Sequence, residues 1–401
     1  MTPPQRGTAT AWLVVLGGVA AAVHIGKLPP ALPVLQRAIG LGLVQSGFLL
    51  SLVQVAGLAL GLVVGVAADS IGLKRTMVSG LSLVGAASVA GSMATSPGPL
   101  LALRAVEGLG FLAAVMPAPA LIRRLVPAAR LNTMLGVWGA YMPFATAAAL
   151  LAGPAWMAWA GWQAWWLLLG GFSLVLALWL AAGLPPDPAR PATTFWAWKG
   201  RVGRTLTARG PWLVALTFGV YSAQWLAVIG FLPSIYLSAG VAPALAAVAT
   251  ALAAAVNMVG NLASDRLLQR GVAPGHLLAL GSLVMGAGGF LAFSDWLGQG
   301  AAAGPLRYLA VLAFSMVGGV IPGTLFSLAV RLAPGEDTVS TTVGWMQQWS
   351  ALGQFAGPPL VAWVATRAGG WQWSWVVTGA CAACGLVLAV LLGQRAHRAT
   401  A

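Results

Sequence analysis

The sequence predicts an all-α membrane protein with twelve transmembrane helices in two six-helix bundles. Of the 401 residues, 59% are hydrophobic and only 7% are charged. Soluble globular proteins carry about a quarter charged residues, and a water-facing surface needs polar cover. Lipid must therefore be the solvent for most of this surface. A spanning helix takes roughly 20 apolar residues. Apolar segments of that order fall at about 10–34, 44–68, 76–95, 98–122, 131–153, 163–183, 211–237, 243–264, 276–296, 306–330, 339–364 and 371–392, which leaves no room for a sizeable soluble domain. Their interiors are rich in Leu, Ala, Val and Gly, as helices packed in lipid are. The short alternating runs of a β-barrel do not occur.

The first segment follows Arg6 and continues well past the small residues Ala20–Ala22, so it reads as an uncleaved first helix. Lys and Arg set the orientation. One side of the membrane carries Arg6, Lys74, Arg75, Arg123, Arg124, Arg130, Arg190, Lys199, Arg201, Arg204, Arg209, Arg266, Arg270, Arg331, Arg395 and Arg398; the other has only Arg37, Arg307 and Arg367. Both termini are thus expected in the cytoplasm of a bacterial-type inner membrane. The net charge of +14 is explained by this topology, so nucleic-acid binding has little left to explain. Residues 1–183 form the expected N-terminal bundle and 184–210 a basic, proline-rich cytoplasmic loop. Residues 211–401 form the C-terminal bundle with a short tail.

The halves repeat. Gly161-Trp162-Gln163-Ala164-Trp165-Trp166 opens the sixth segment of the first half, and Gly370-Trp371-Gln372-Trp373-Ser374-Trp375 opens the sixth of the second. Both fall at the non-cytoplasmic interface, where Trp is favoured. Parallel six-helix repeats with the substrate site between them are a transporter architecture.

Motifs sharpen this. Gly57, Gly61, Gly65 and Asp69 form a stripe spaced by four on the second segment, leading into Gly72-Leu73-Lys74-Arg75. A degenerate copy, Gly260-Asn261-Leu262-Ala263-Ser264-Asp265-Arg266, follows the eighth. The fourth carries Arg104-Ala105-Val106-Glu107-Gly108-Leu109-Gly110. These resemble the signature loop and the fourth-helix pattern of the major facilitator superfamily. The Trp-Gly…Pro and Gly-Pro-Pro…Gly-Trp patterns look most like its cyanate-permease-like branch. The fifth segment departs from the antiporter signature: Met142 precedes Pro143 where a Gly-Pro pair is typical, which weighs against drug:proton antiport. The resemblance implies a cytoplasmic gate of Gly65, Asp69, Gly72, Lys74 and Arg75. Physically, Asp69 can face a helix N-terminus, and Lys74 and Arg75 can pair with it.

Only Lys27, Arg104 and Glu107 are charges well inside predicted helices. Each costs about 2.5–3.5 kcal/mol at mid-bilayer on insertion scales, so each is a functional candidate. A lysine can snorkel to the interface. But Trp12 to Gly26 spans only about 22 Å at 1.5 Å per residue, so Lys27 should sit below the surface of a hydrocarbon core about 30 Å thick. Arg104 and Glu107, at i and i+3, either pair structurally or face the central cavity that helices one and four line in the resembled family. Two cations and one carboxylate favour an anion. The expected substrate contacts are Lys27 and Arg104, with Tyr221, Gln224 and Gln348 from the second half. Glu107 and His24 are the candidates for carrying a coupled proton.

The expectation is a monomeric secondary transporter of a small organic or inorganic anion, proton-coupled, working by alternating access in the lipid bilayer. Pro117, Pro119, Pro143, Pro322, Pro358, Pro359, Gly318 and Gly319 would permit the helix bends such motion uses. The alternative is proton-driven efflux of drug-like compounds, which predicts no dependence on Lys27. No cofactor is expected. There is no Gly-x-x-x-x-Gly-Lys-Ser/Thr loop for ATP, and His24, His276 and His397 do not cluster. Cys381 and Cys384 lie in an apolar helix that opposes the thiolate. An embedded enzyme would need a nucleophile–base pair or metal cluster that the chain lacks. A non-transporting sensor on the same fold is the remaining alternative.

Overall fold

The computed structural model describes residues 3–61, 72–127, 130, 134, 137–138, 141–187, 195–298 and 300–398. Among these all regular structure is helical. In chain order the helices are α1 (Pro3–Gly26), α2 (Leu28–Ile39), α3 (Leu43–Ser51), α4 (Leu73–Gly91), α5 (Pro97–Val115), α6 (Ala118–Leu125), α7 (Tyr141–Gly183), α8 (Phe195–Thr207), α9 (Arg209–Ser238), α10 (Pro243–Ala255), α11 (Asn257–Gln269), α12 (Pro274–Phe293), α13 (Ala303–Gly318), α14 (Val320–Arg331), α15 (Val339–Ala368) and α16 (Ser374–Arg398).

Nine stretches among the described residues are long and apolar enough to cross a membrane. The more polar α4 and α15, of 19 and 30 residues, supply two more spans. The 43-residue α7 is two spans joined at Gly161, where φ is 82° and ψ 168°. Together they account for the twelve predicted. Several spans are interrupted where the sequence removes backbone donors or Cβ atoms. Pro29 and Pro30 follow the break between α1 and α2, Pro117 sits between α5 and α6, and Gly319 separates α13 from α14. Pro358 and Pro359, by contrast, lie inside the continuous α15.

The chain forms two compact units, one of residues 1–41 with 52–194 and the other of 42–51 with 195–401. In the first, small residues bring backbones together. A Cβ on Gly80 of α4 would lie 2.7 Å from the Gly110 carbonyl of α5, and one on Gly110 would lie 2.7 Å from the Gly80 carbonyl. Gly85 makes the same approach to Gly170 of α7, at 2.8 Å from its carbonyl. This is the small-residue packing that lipid-embedded helices use in place of a hydrophobic drive. Gly110→Ala is accordingly expected to destabilise by about 1–3 kcal/mol. Gly98→Ala, which meets open space, should leave the thermal midpoint unchanged. Equal midpoints for the two variants would refute this packing.

The arms of α7 run in opposite directions along α1. Thr146 of the first arm lies against Gly26, and Gly153 lies against Pro30 of α2; in the returning arm Leu180 lies against Gly17 and Gly183 against Leu13. The Gly-Trp-Gln repeat has a local cause. The Gln163 side chain folds back to 3.4 Å from where a Gly161 Cβ would be, and the Gln372 amide lies over Gly370 in the same way. The first copy re-enters helix at once, whereas the second passes through a 3-10 turn, Trp371–Trp373.

In the second unit Gly353 and Gly357 of α15 pack on Ala223 of α9, and Gly47 of α3 packs on Pro359. Gly319 closes on Asn257, with a Cβ position 3.2 Å from its amide nitrogen. The tenth span thus meets the eighth as the fourth meets the second at Gly108 and Val53.

Candidate functional site

The charged residues of the membrane interior converge on one cluster in the first unit. Lys27 is the single residue between α1 and α2, in helical conformation, with its N–H donating to the Val23 carbonyl at 2.8 Å. The α4–α5 glycine contact sets Ser88 level with Glu107, and the α4–α7 contact sets Ser88 beside Trp166. Lys27 Nζ donates to Glu107 Oε1 at 2.5 Å, to Ser88 Oγ at 3.0 Å and to His24 Nδ1 at 3.1 Å. Those three bonds use every hydrogen of the ammonium. The Trp166 ring centre lies 4.6 Å from the same nitrogen, a cation–π contact.

Arg104 Nη1 donates to Glu107 Oε2 at 2.6 Å and to the His24 carbonyl at 2.8 Å. Glu107 therefore gives one oxygen to each cation. Because His24 Nδ1 accepts from Lys27, its proton is assigned to Nε2, which donates to Ser173 Oγ at 2.9 Å. Ser173 in turn donates to the Ala20 carbonyl at 3.2 Å. Lys27, His24, Arg104 and Glu107 are 0%, 1%, 2% and 3% exposed. With neutral imidazole the cluster holds two positive charges and one negative. Burial of ions is sustained only by such pairing and hydrogen bonding.

The other predicted substrate contacts belong to the second unit. Tyr221 and Gln224 of α9 are buried, and Gln348 of α15 is half-buried. Asn257 Nδ2 donates to the Tyr221 hydroxyl at 3.0 Å and to the Ser315 carbonyl at 2.8 Å, and Trp225 Nε1 donates to Ser315 Oγ at 3.1 Å. Gln224 Oε1 has no hydrogen-bond partner among the described residues.

Of the predicted gate, Gly65 and Asp69 lie outside the described residues. The described contacts of the remainder run to the end of the sixth span. Asp187 Oδ1 accepts from the Lys74 N–H at 3.0 Å and Oδ2 from the Arg75 N–H at 3.2 Å. These are donors of the first turn of α4 that have no intrahelical acceptor, and the carboxylate also meets the positive helix end. Lys74 Nζ donates to the Leu184 carbonyl at 2.6 Å, and Arg124 lies 3.4 Å from Asp187. Gly72 has φ 108°, and a Cβ there would run into Asp187. The sequence alone gives Asp187, Ser88 and Ser173 no role and places Trp166 only in the interfacial Gly-Trp-Gln repeat. A proline-flanked aspartate is a visible signal for the first, while serines inside apolar helices give none.

The sequence profile of the Major Facilitator Superfamily matches residues 14–358. An uncharacterized MFS-type transporter of Mycobacterium tuberculosis strain H37Rv is 29% identical over 180 residues, 42% of this chain and 29% of that protein. The chain thus matches under a third of that relative's length. The fold is shared with a bacterial homolog of the human lysosomal transporter Spinster in an inward-facing, unoccupied conformation (TM-score 0.79, 15% identity, 97% of each chain). It is shared also with a D-xylose–proton symporter (TM-score 0.72, 16% identity, 95% of this chain and 96% of that one). The chain belongs to the Major Facilitator Superfamily, a family of multi-pass membrane transporters.

Proposed function

We propose that the chain carries a small organic or inorganic anion together with a proton, with Lys27 and Arg104 as the anion's contacts and Glu107 as the proton carrier. The observation that carries this is the carboxylate shared by two buried cations. Glu107 occupies the place a carboxylate or cyanate-like substrate would take. All three Lys27 hydrogens are used, so a substrate reaches Lys27 by displacing Glu107. A carboxylate released among apolar groups is costly as an ion, so it takes a proton as the anion takes its cations. Anion and proton then enter as a neutral pair and the cluster keeps its charge. His24, with Nδ1 held by Lys27 and Nε2 by Ser173, orients the ammonium rather than carrying the proton. The cyanate-permease-like sequence patterns favour the same substrate class.

The distribution of basic residues supports an orientation with both termini cytoplasmic. Gly65, Asp69, Gly72, Lys74 and Arg75 form the cytoplasmic gate, with Asp187 clasping its last two residues. The test is uptake into proteoliposomes of small carboxylates and cyanate, against quaternary ammonium ions and neutral aromatics. Anion uptake accelerated by an inward proton gradient supports the reading. Uptake confined to bulky cations or neutral compounds would sink it and favour efflux of drug-like molecules.

A further inference from the structure

A second polar cluster lies where α8 packs against the Glu336–Thr338 turn and the start of α15. Trp212 fixes this junction. Its Nε1 donates to the Leu206 carbonyl near the end of α8 at 2.7 Å, and its ring meets Trp345 of α15 edge-on, centroids 4.9 Å apart. Four buried polar atoms here have no hydrogen-bond partner among the described residues: Arg201 Nε, Thr205 Oγ1, Thr342 Oγ1 and Trp345 Nε1. Thr205 and Thr342 are both 0% exposed. Arg201 and Thr205, at i and i+4, share a face of α8; Thr342 and Trp345, at i and i+3, share a face of α15. Buried polar groups left unpaired are uncommon and costly, and four at one helix junction point to a missing ligand.

The donor set defines the ligand's chemistry. An arginine Nε–H and an indole N–H only donate, and each threonine hydroxyl can donate. The start of α15 adds a positive helix end. Arg204 and Lys199 of α8 add charge, while Glu336 of the turn is exposed. The ligand must therefore accept several hydrogen bonds and carry negative charge. Its position, on the membrane face that carries the loop between the halves and beside clustered tryptophans, is that of lipid headgroups. We propose that Arg201, Thr205, Thr342 and Trp345 form a site for a phosphate oxyanion, presented by an anionic phospholipid of the adjoining leaflet.

The test is thermal unfolding of the purified full chain in an uncharged detergent, titrated separately with short-chain phosphatidylglycerol, with a matched diacylglycerol lacking phosphate, and with inorganic phosphate. The variants are Thr205→Val with Thr342→Val, and Arg201→Gln. The threonine variant folds, because it removes hydroxyls that lack partners, and without ligand its midpoint should equal or exceed the wild type's. Phosphatidylglycerol should raise the wild-type midpoint where diacylglycerol does not, and its apparent affinity should fall about tenfold or more in both variants. A phosphatidylglycerol effect that diacylglycerol matches, or that survives undiminished in both variants, overturns the site. A rise with inorganic phosphate but not with phosphatidylglycerol overturns the lipid as the ligand.

Discussion

Glu107→Gln is expected to destabilise the purified protein by about 3–5 kcal/mol in anion-free buffer, the range for breaking a buried ion pair by removing one partner. The amide keeps the shape of the side chain but removes its charge. Lys27 and Arg104, 0% and 2% exposed, would then face each other with no carboxylate between them. The same change removes the negative charge that competes with the anion for the two cations. Small carboxylates should therefore raise the thermal midpoint of the variant more than that of the wild type, following the logarithm of ligand over dissociation constant. An anion-free midpoint equal to wild type would mean that Glu107 does not hold the cluster together. A weaker anion response than wild type would mean that it does not occupy the substrate's place.

Lys27→Met should have the opposite profile, a moderate loss of stability and a large loss of transport. Methionine fills similar volume, and the cluster becomes a neutral Arg104–Glu107 pair. The penalty is the donors lost by Glu107 Oε1 and His24 Nδ1, about 1–3 kcal/mol for each acceptor left buried and unpaired. Affinity for the anion should fall by about ten- to a hundredfold, the equivalent of one charge-assisted hydrogen bond. Wild-type uptake by the variant in proteoliposomes would exclude Lys27 from the substrate path, as drug efflux requires. Combining the two substitutions leaves Arg104 as the sole charge, so the double variant should be more stable than the sum of the single losses predicts, by about 0.5–3 kcal/mol.

The spans were legible because hydropathy is a one-dimensional signal and lipid enforces it along the whole chain. The pairing of Arg104 with Glu107 was legible as one of two readings, since i and i+3 share a helix face. That Lys27 reaches the same carboxylate from 80 residues away was not. Spacing says nothing about which helices adjoin, and only the family resemblance placed the first beside the fourth. The contacts that set α4, α5 and α7 side by side around the cluster are glycines such as Gly80, Gly85, Gly110 and Gly170, lost among the 52 of this chain. Ser88 and Ser173 escaped for a related reason. A serine inside an apolar helix normally bonds back to its own backbone, and these two serve the cluster only because a particular neighbour lies opposite. Asp187 reads as loop in the sequence, because the two N–H groups that donate to it belong to a helix start more than a hundred residues earlier.

The reversal at Gly161 bears on how sidedness can be mapped by experiment. One residue with positive φ turns the fifth span into the sixth, so that edge offers no loop for a protease to cleave or an antibody to grip. A reporter or epitope spliced there would have to unwind helix on both flanks, and its failure to express would say nothing about which compartment it faces. The matching turn of the second half, at Gly369 and Gly370 with the 3-10 turn beyond, has slack for an insertion and is the place to put one.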